Sequence, residues 1–255
     1  MNWEKSLAIV TGAGGGIGGA FARHLLEGGC RVVAVDKKGD RLDRLAGECH
    51  AFGDALTIRP VDVSNEAEVR AFFSEISMSV GVPDILVNNA GVLRDGLLVN
   101  KDADSYVRKL PTAQWRGVLD TNLTGTYLMS REFAAQQASQ PAGGGIIVNI
   151  SSVTSAGNPG QSAYAASKAG MDALTRTWAL ELASSHIRVV GIAPGLTDTP
   201  MAMALPEAER ESMLKNIPLG RIASTQEIWL GLRFALECDY FNGRVLTIDG
   251  GAGFC

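Results

Sequence analysis

One segment near the start leaves few folds open to this chain. Leu7-Ala8-Ile9-Val10 is a short apolar run that reads as a buried strand. Ala20-Phe21-Ala22-Arg23-His24-Leu25-Leu26 reads as an amphipathic helix. Between them Thr11-Gly12-Ala13-Gly14-Gly15-Gly16-Ile17-Gly18 places five glycines in seven residues, in the spacing Gly-x-x-x-Gly-x-Gly. Without side chains the backbone amides can approach a pyrophosphate, and a helix N-terminus adds positive potential there. Gly12, Gly14, Gly15, Gly16, Ile17 and Gly18 are therefore candidate dinucleotide contacts. Asp36 closes the next apolar run, Val32-Val33-Ala34-Val35, 18 residues after Gly18. A carboxylate at that distance accepts hydrogen bonds from an adenosine ribose and repels a 2′-phosphate. The spacing thus predicts NAD(H) in preference to NADP(H), with Lys37 and Lys38 as partial offsets.

Two more apolar runs end in small polar residues, which line the ligand crevice of an open α/β sheet. Ile85-Leu86-Val87 leads into Asn88-Asn89-Ala90-Gly91, and Ile146-Ile147-Val148-Asn149-Ile150 into Ser151-Ser152. A Gly/Pro-rich loop follows and delivers Tyr164-Ala165-Ala166-Ser167-Lys168. The i, i+4 spacing puts phenol and ammonium on one helix face. A neighbouring ammonium lowers a phenol pKa that starts near ~10, which suits a general acid/base.

Strand and helix patterns alternate along the chain, which predicts a parallel sheet covered on both faces. Strands are predicted over 7–11, 31–35, 56–61, 84–88, 145–150, 187–192 and 244–248. Helices are predicted near 17–28, 40–51, 66–79, 113–138, 162–184, 201–215 and 225–237. Ser224-Thr225-Gln226-Glu227 reads as a capping box. No linker divides the 255 residues, so one domain over 1–255 is expected. A formal net charge of −4 argues against nucleic acid or an anionic membrane surface as partner. No apolar stretch is long enough to span a bilayer, and no signal peptide is expected. Cys30, Cys49, Cys238 and Cys255 lack metal-ligand spacing and fit unpaired thiols in a reducing cytoplasm. His24, His50 and His186 are scattered, and no metal is expected.

Thr-Gly-x-x-x-Gly-x-Gly, Asn-Asn-Ala-Gly, a serine-bearing strand end and Tyr-x-x-x-Lys, in this order over the whole chain, resemble the short-chain dehydrogenase/reductase family. The resemblance implies a Rossmann-type, doubly wound, seven-stranded parallel sheet with helices on both faces. It implies hydride transfer between a nicotinamide and a ketone or secondary alcohol. Tyr164 would be the general acid/base, and Lys168 would lower its pKa and bind the nicotinamide ribose. Asn122, in Thr121-Asn122-Leu123-Thr124-Gly125, resembles the asparagine of the family's proton relay and would hold a water leading to Lys168. Asp62 and Val63 resemble the adenine contact. Asn89, Ala90 and Gly91 resemble the cofactor contacts after the fourth strand. Pro194, Gly195, Thr197 and Thr199 resemble the segment that holds the nicotinamide. A small carbonyl or alcohol substrate and a homotetramer, or a dimer, follow by the same resemblance.

The catalytic serine is ambiguous. Counting thirteen residues back from Tyr164 reaches Ser151. Aligning from the strand favours Ser152, because a one-residue slip flips every side chain whereas loops tolerate deletion. Ser155 is a third choice. Val92-Leu93-Arg94-Asp95-Gly96 resembles the 3-oxoacyl reductase branch. Asn100 to Leu110, charged and turn-like, resembles an insertion of 3-hydroxyacyl-CoA dehydrogenases. Met201-Ala202-Met203-Ala204-Leu205-Pro206 resembles an apolar lid, so the expected substrate is a 3-oxoacyl or 3-hydroxyacyl thioester or a similar apolar ketone. Gly143 and Ser185, near where carrier-protein reductases place docking arginines, are not basic. The alternative to an enzyme is a non-catalytic NAD(H)-sensing regulator on the same fold, which would have no need for both Tyr164 and Lys168.

Overall fold

The computed structural model describes residues 3–101, 106–141 and 143–253. Seven parallel strands form one sheet. In chain order they are β1 Leu7–Thr11, β2 Arg31–Asp36, β3 Leu56–Pro60, β4 Ile85–Asn88, β7 Gly145–Ile150, β8 Ile187–Pro194 and β9 Val245–Ile248. Their spatial order is β3-β2-β1-β4-β7-β8-β9. The order reverses between β1 and β4, and such a reversal opens a crevice outside the carboxyl ends of the strands. A separate antiparallel hairpin pairs β5 Val99–Lys101 with β6 Val107–Lys109. It falls in the stretch read as an insertion, of which residues 102–105 lie outside the described residues.

The central strands β1, β4 and β7 read as near-continuous apolar runs because both faces are buried. Alternate residues serve alternate cores. Val10, Ala34, Val87 and Val148 pack with Phe21 and Leu25 of α1 (Gly16–Glu27), Leu42 of α2 (Gly39–Glu48) and Ile228 and Leu232 of α9 (Thr225–Glu237). Ile9, Val33, Leu86 and Ile147 pack with Phe72 and Phe73 of α3 (Glu66–Ser79) and Met129 and Phe133 of α5 (Gly125–Ala138). The Ser224–Glu227 capping box closes the start of α9 from both directions.

Two predicted helices are broken. The helix expected over 113–138 is α4 (Thr112–Leu119) and α5, joined by a π-helical turn at Asp120–Thr124. The helix expected over 201–215 is α7 (Pro200–Met203) and α8 (Glu207–Lys215). Pro206 caps α8, with ψ at 142°, and a proline disfavours helical backbone in the residue before it. The helix carrying Tyr164, α6, spans Ser162–Glu181. Among the described residues no helix is long and apolar enough to cross a membrane.

Candidate active site

The glycine turn is shaped by what it lacks. Gly12 has φ 65°, and a Cβ there would stand 2.9 Å from Ala90 Cα and from Asn89 Nδ2. A Cβ on Gly18 would run into the Gly12 carbonyl oxygen. One on Gly16 would meet Thr199 Cγ2 at 2.7 Å, so the segment before α7 lies directly against the turn. Gly15 donates its N–H to Gly12 O at 3.1 Å and sits at the N-cap of α1 without any side-chain cap. An uncapped first turn leaves amide donors for an anion. Ile17 is half-buried and anchors that turn on the core. Uncapped amides beside a cradle that any Cβ would fill fit a dinucleotide pyrophosphate.

Thr11 holds the neighbouring strand end in place. Its buried Oγ1 donates to Val87 O at 3.2 Å and accepts from Asn89 N at 2.9 Å and Ala90 N at 3.0 Å. Asn89 Nδ2 in turn donates to Thr11 O at 3.0 Å. Gly91 lies where a Cβ would sit 3.4 Å from Asn122 Oδ1. Asp62 pairs with Lys37 at 2.5 Å and accepts from the Ser64 hydroxyl at 2.6 Å. Val63 is buried and packs so tightly on Gly125 that a Cβ there would be 2.7 Å from it. On the other side, β8 ends in Pro194 and the Gly195 N–H continues to Ile248 O at 2.8 Å. Thr197 is buried, bridges Ala223 and donates to Gly195 O at 3.0 Å, while Thr199 caps α7.

Ser152, Tyr164 and Lys168 meet at the carboxyl end of β7. The Ser152 hydroxyl is the side-chain hydrogen-bond partner of the Tyr164 phenol. Ser151 Oγ points instead to the Lys168 carbonyl, at 3.4 Å. Lys168 is 3% exposed, donates from Nζ to Ile150 O at 2.6 Å and lies 5.4 Å from the centre of the Tyr164 ring. Burial lowers its pKa to about 8, against an opposing pull from Asp172. The phenol departs from expectation: its pKa is raised. Burial is the main cause and Asp95 adds to it, and the Ser152 hydrogen bond opposes both without prevailing. Desolvation of the phenolate outweighs the attraction that the Tyr-x-x-x-Lys spacing predicts.

Asn122 lies in the π turn with its side chain fully buried. Its Oδ1 accepts from Val92 N at 2.8 Å, and its Nδ2 donates to Val92 O at 3.0 Å and Ser167 Oγ at 3.2 Å. The amide clamps the segment after Gly91 onto α6, and a π turn re-aims side chains at sites of this kind. A second polar chain runs beneath. Asn88 Nδ2 donates to Ser130 Oγ and to Asn149 Oδ1, and Asn149 Nδ2 donates to Thr175 Oγ1, each at 2.9 Å. It ties β4 and β7 to α5 and α6. Thr175 has no signal in the sequence, since a lone hydroxyl carries no spacing, and the motifs that include Thr11 and Asp95 give them no such role. Among the described residues no group of three His, Cys, Asp or Glu could hold a metal.

A scan against protein families matches residues 6–210 to the short chain dehydrogenase family. The 3-oxoacyl-[acyl-carrier-protein] reductase FabG of Thermotoga maritima is 37% identical, covering 98% of this chain and 99% of that protein. FabG of Pseudomonas aeruginosa is also 37% identical, over 98% of each. A solved putative gluconate dehydrogenase from Agrobacterium tumefaciens superimposes with a TM-score of 0.88 at 31% identity, covering 98% of this chain and 96% of its own. A gluconate 5-dehydrogenase from Burkholderia cenocepacia, solved in complex with NADP and tartrate, has a TM-score of 0.85 at 32% identity, covering 97% and 94%.

The preference for NAD(H) is overturned by that NADP complex, and the surroundings of Asp36 give the physical reason. Both carboxylate oxygens already accept backbone amides, Gly14 N at 3.2 Å and Lys38 N at 3.1 Å. Exposed Arg41 and Arg44 from α2 stand beside the same turn. A Cβ on Gly14 would be 2.5 Å from Arg41 Cβ, and Arg44 donates to Gly14 O at 3.2 Å. The two arginines were readable on the helix after Asp36. With residues 6–210 matching the family and full-length relatives 37% identical to the chain, this protein belongs to the short-chain dehydrogenase family.

Proposed function

We propose that this chain, as one domain over residues 1–255, is an NADP(H)-dependent reductase of 3-oxoacyl thioesters. The observation that carries the reading is the buried Lys168 beside a Tyr164 phenol bonded to Ser152, at the edge of the uncapped glycine cradle. Gly12 to Gly18, Asn89 to Gly91, Asp62, Val63 and Pro194 to Thr199 would hold the dinucleotide, with Arg41 and Arg44 at its 2′-phosphate. The bound cofactor would supply the hydride. The remaining work falls to this chain. Ser152 donates to the substrate carbonyl oxygen and stabilises the charge that develops there. Tyr164 passes its phenolic proton to that oxygen, and the Lys168 ammonium favours the phenolate left behind. Asn122 keeps the loop after Gly91 in register with α6.

The thioester class is supported by the FabG relatives and by exposed apolar side chains, Leu97, Leu98, Met201 and Met203, on the segments flanking the crevice. Tyr127, Leu180, Leu230 and Phe234 stay exposed on α5, α6 and α9, which supports a homotetramer. A cytoplasmic enzyme agrees with the free Cys30, Cys49 and Cys238. A second reading, a sugar acid as substrate, is favoured by the two gluconate dehydrogenases and by Asp95, an exposed hydroxyl acceptor acting on Tyr164.

The test is oxidation of NADPH, with NADH for comparison, in the presence of acetoacetyl-CoA, an acetoacetyl carrier protein and 5-ketogluconate. NADPH-dependent turnover of a thioester, abolished in Tyr164→Phe, is expected. Turnover of 5-ketogluconate alone would transfer the assignment to the second reading. Tight NADPH binding with no turnover of any carbonyl would leave a nucleotide sensor as the better account.

A further inference from the structure

We propose that Asp172 is a positioning residue for Lys168: its carboxylate, one helical turn away on the same face of α6, keeps the Lys168 ammonium charged and aimed at Tyr164. The catalytic consequence rests on the reading above, whereas the pairing does not. Residues 164, 168 and 172 follow one another at intervals of four along α6. Helical side chains lean toward the N-terminus, so Asp172 leans toward Lys168 as Lys168 leans toward Tyr164.

Both groups are incompletely satisfied. An ammonium has three N–H donors, and among the described residues Lys168 Nζ has one hydrogen bond, to Ile150 O at 2.6 Å. Asp172 Oδ1 is enclosed and has no hydrogen-bond partner among the described residues. A buried charge without its counter-charge neutralises, because desolvation penalises the ionised form. Asp172 is the one charge that opposes the downward pull of burial on Lys168.

The surroundings offer no substitute. The end of β7 and the turn over 153–156 carry no ionisable side chain. Arg116 on α4 and Asp120 on the π turn are exposed. Arg94 and Asp95, on the loop after β4, are exposed as well, and Asp95 acts on Tyr164. Arg176, the next turn of α6, is exposed, and Arg188 is bound to carbonyls at the far end of β8.

Asp172→Asn preserves the shape and removes the charge. The pH profile of kcat/KM with NADPH and acetoacetyl-CoA reports the free enzyme. Its basic limb is expected to move down by about one pH unit, and Asp172→Glu is expected to restore it. A merely structural role would lower activity at every pH and leave the limb in place, which overturns the proposal. The second readout needs no turnover. In 13C-lysine-labelled protein, the Lys168 resonance, assigned through its absence in Lys168→Met, should titrate lower in Asp172→Asn by the same amount. An unmoved midpoint overturns the pairing, and a moved midpoint without turnover of any carbonyl overturns the assigned reaction alone. Should Asp172→Asn not fold, as judged by its melting curve, Asp172→Ser takes its place with the same two expectations.

Discussion

The two sides of the crevice are built by opposite means. The cofactor side, from β1 to α2, depends on missing side chains. Gly12, Gly16 and Gly18 each stand where a Cβ would collide with backbone or a neighbouring threonine. The catalytic side, from the π turn to α6, depends on polar side chains in places where chains usually bury apolar ones. Asn122, Ser151, Ser167, Lys168 and Thr175 are all buried. The first side is rigid because nothing else fits. The second is held by hydrogen bonds around a group that would be easier to bury uncharged. Substitutions on the cofactor side should therefore reduce folding and binding together. On the catalytic side they should remove activity and leave stability unchanged or improved.

The sharpest test of that contrast is Tyr164→Phe. Loss of the positioned acid is expected to lower kcat by about 10³-fold, within the usual range for general acid catalysis, with the melting temperature nearly unchanged. A Tyr164→Phe protein that melts much earlier would make the phenol part of the scaffold and break the comparison.

Lys168→Met comes next, with an expected loss of about 10²-fold in kcat/KM and a melting temperature at pH 7 no lower than that of the parent. The parent's pH dependence follows from the same group. Its folded pKa, about 8, lies below the ordinary 10.5, so the unfolded chain binds more protons between these values. Stability should therefore rise with pH across that window, and this rise should be missing in Lys168→Met, as denaturant melts from pH 7 to 10.5 would reveal.

On the cofactor side Gly18→Ala pushes a methyl group into the Gly12 carbonyl, and overpacking of this kind costs about 1–3 kcal/mol. Chemical denaturation should register that loss together with weakened NADPH binding. Unchanged stability would mean the turn can move, and the rigid side of the comparison would fail. The smallest expected effect is that of Arg41→Ala. It should raise KM for NADPH by about tenfold, the scale of one charge-assisted hydrogen bond, with kcat and KM for NADH unchanged. An equal change for both dinucleotides would remove Arg41 from the 2′-phosphate.

Legibility follows the same division. Glycines at fixed offsets after an apolar run, and Tyr and Lys four residues apart, are local patterns with local physical causes, so the sheet, its helices and the candidate site residues can be read along the chain. The π turn leaves no such trace, since Asp120–Thr124 has the apolar spacing of a continuing helix. The break at Pro206 could have been read from its effect on the preceding residue. The dinucleotide preference was misread because one carboxylate was weighed without the helix after it. Asp36 turns both oxygens to backbone amides while Arg41 and Arg44 close on Gly14.

By itself the sequence determined the alternation of strands and helices, the glycine cradle and the identity of the groups at the crevice, because hydrophobic period and backbone sterics act over a few residues. Tertiary structure alone decided which serine meets Tyr164, that burial raises the phenol and lowers the lysine, and that Asn122 clamps Val92 to α6. Those outcomes depend on desolvation and on contacts between residues 12 to 45 positions apart, which no local spacing encodes.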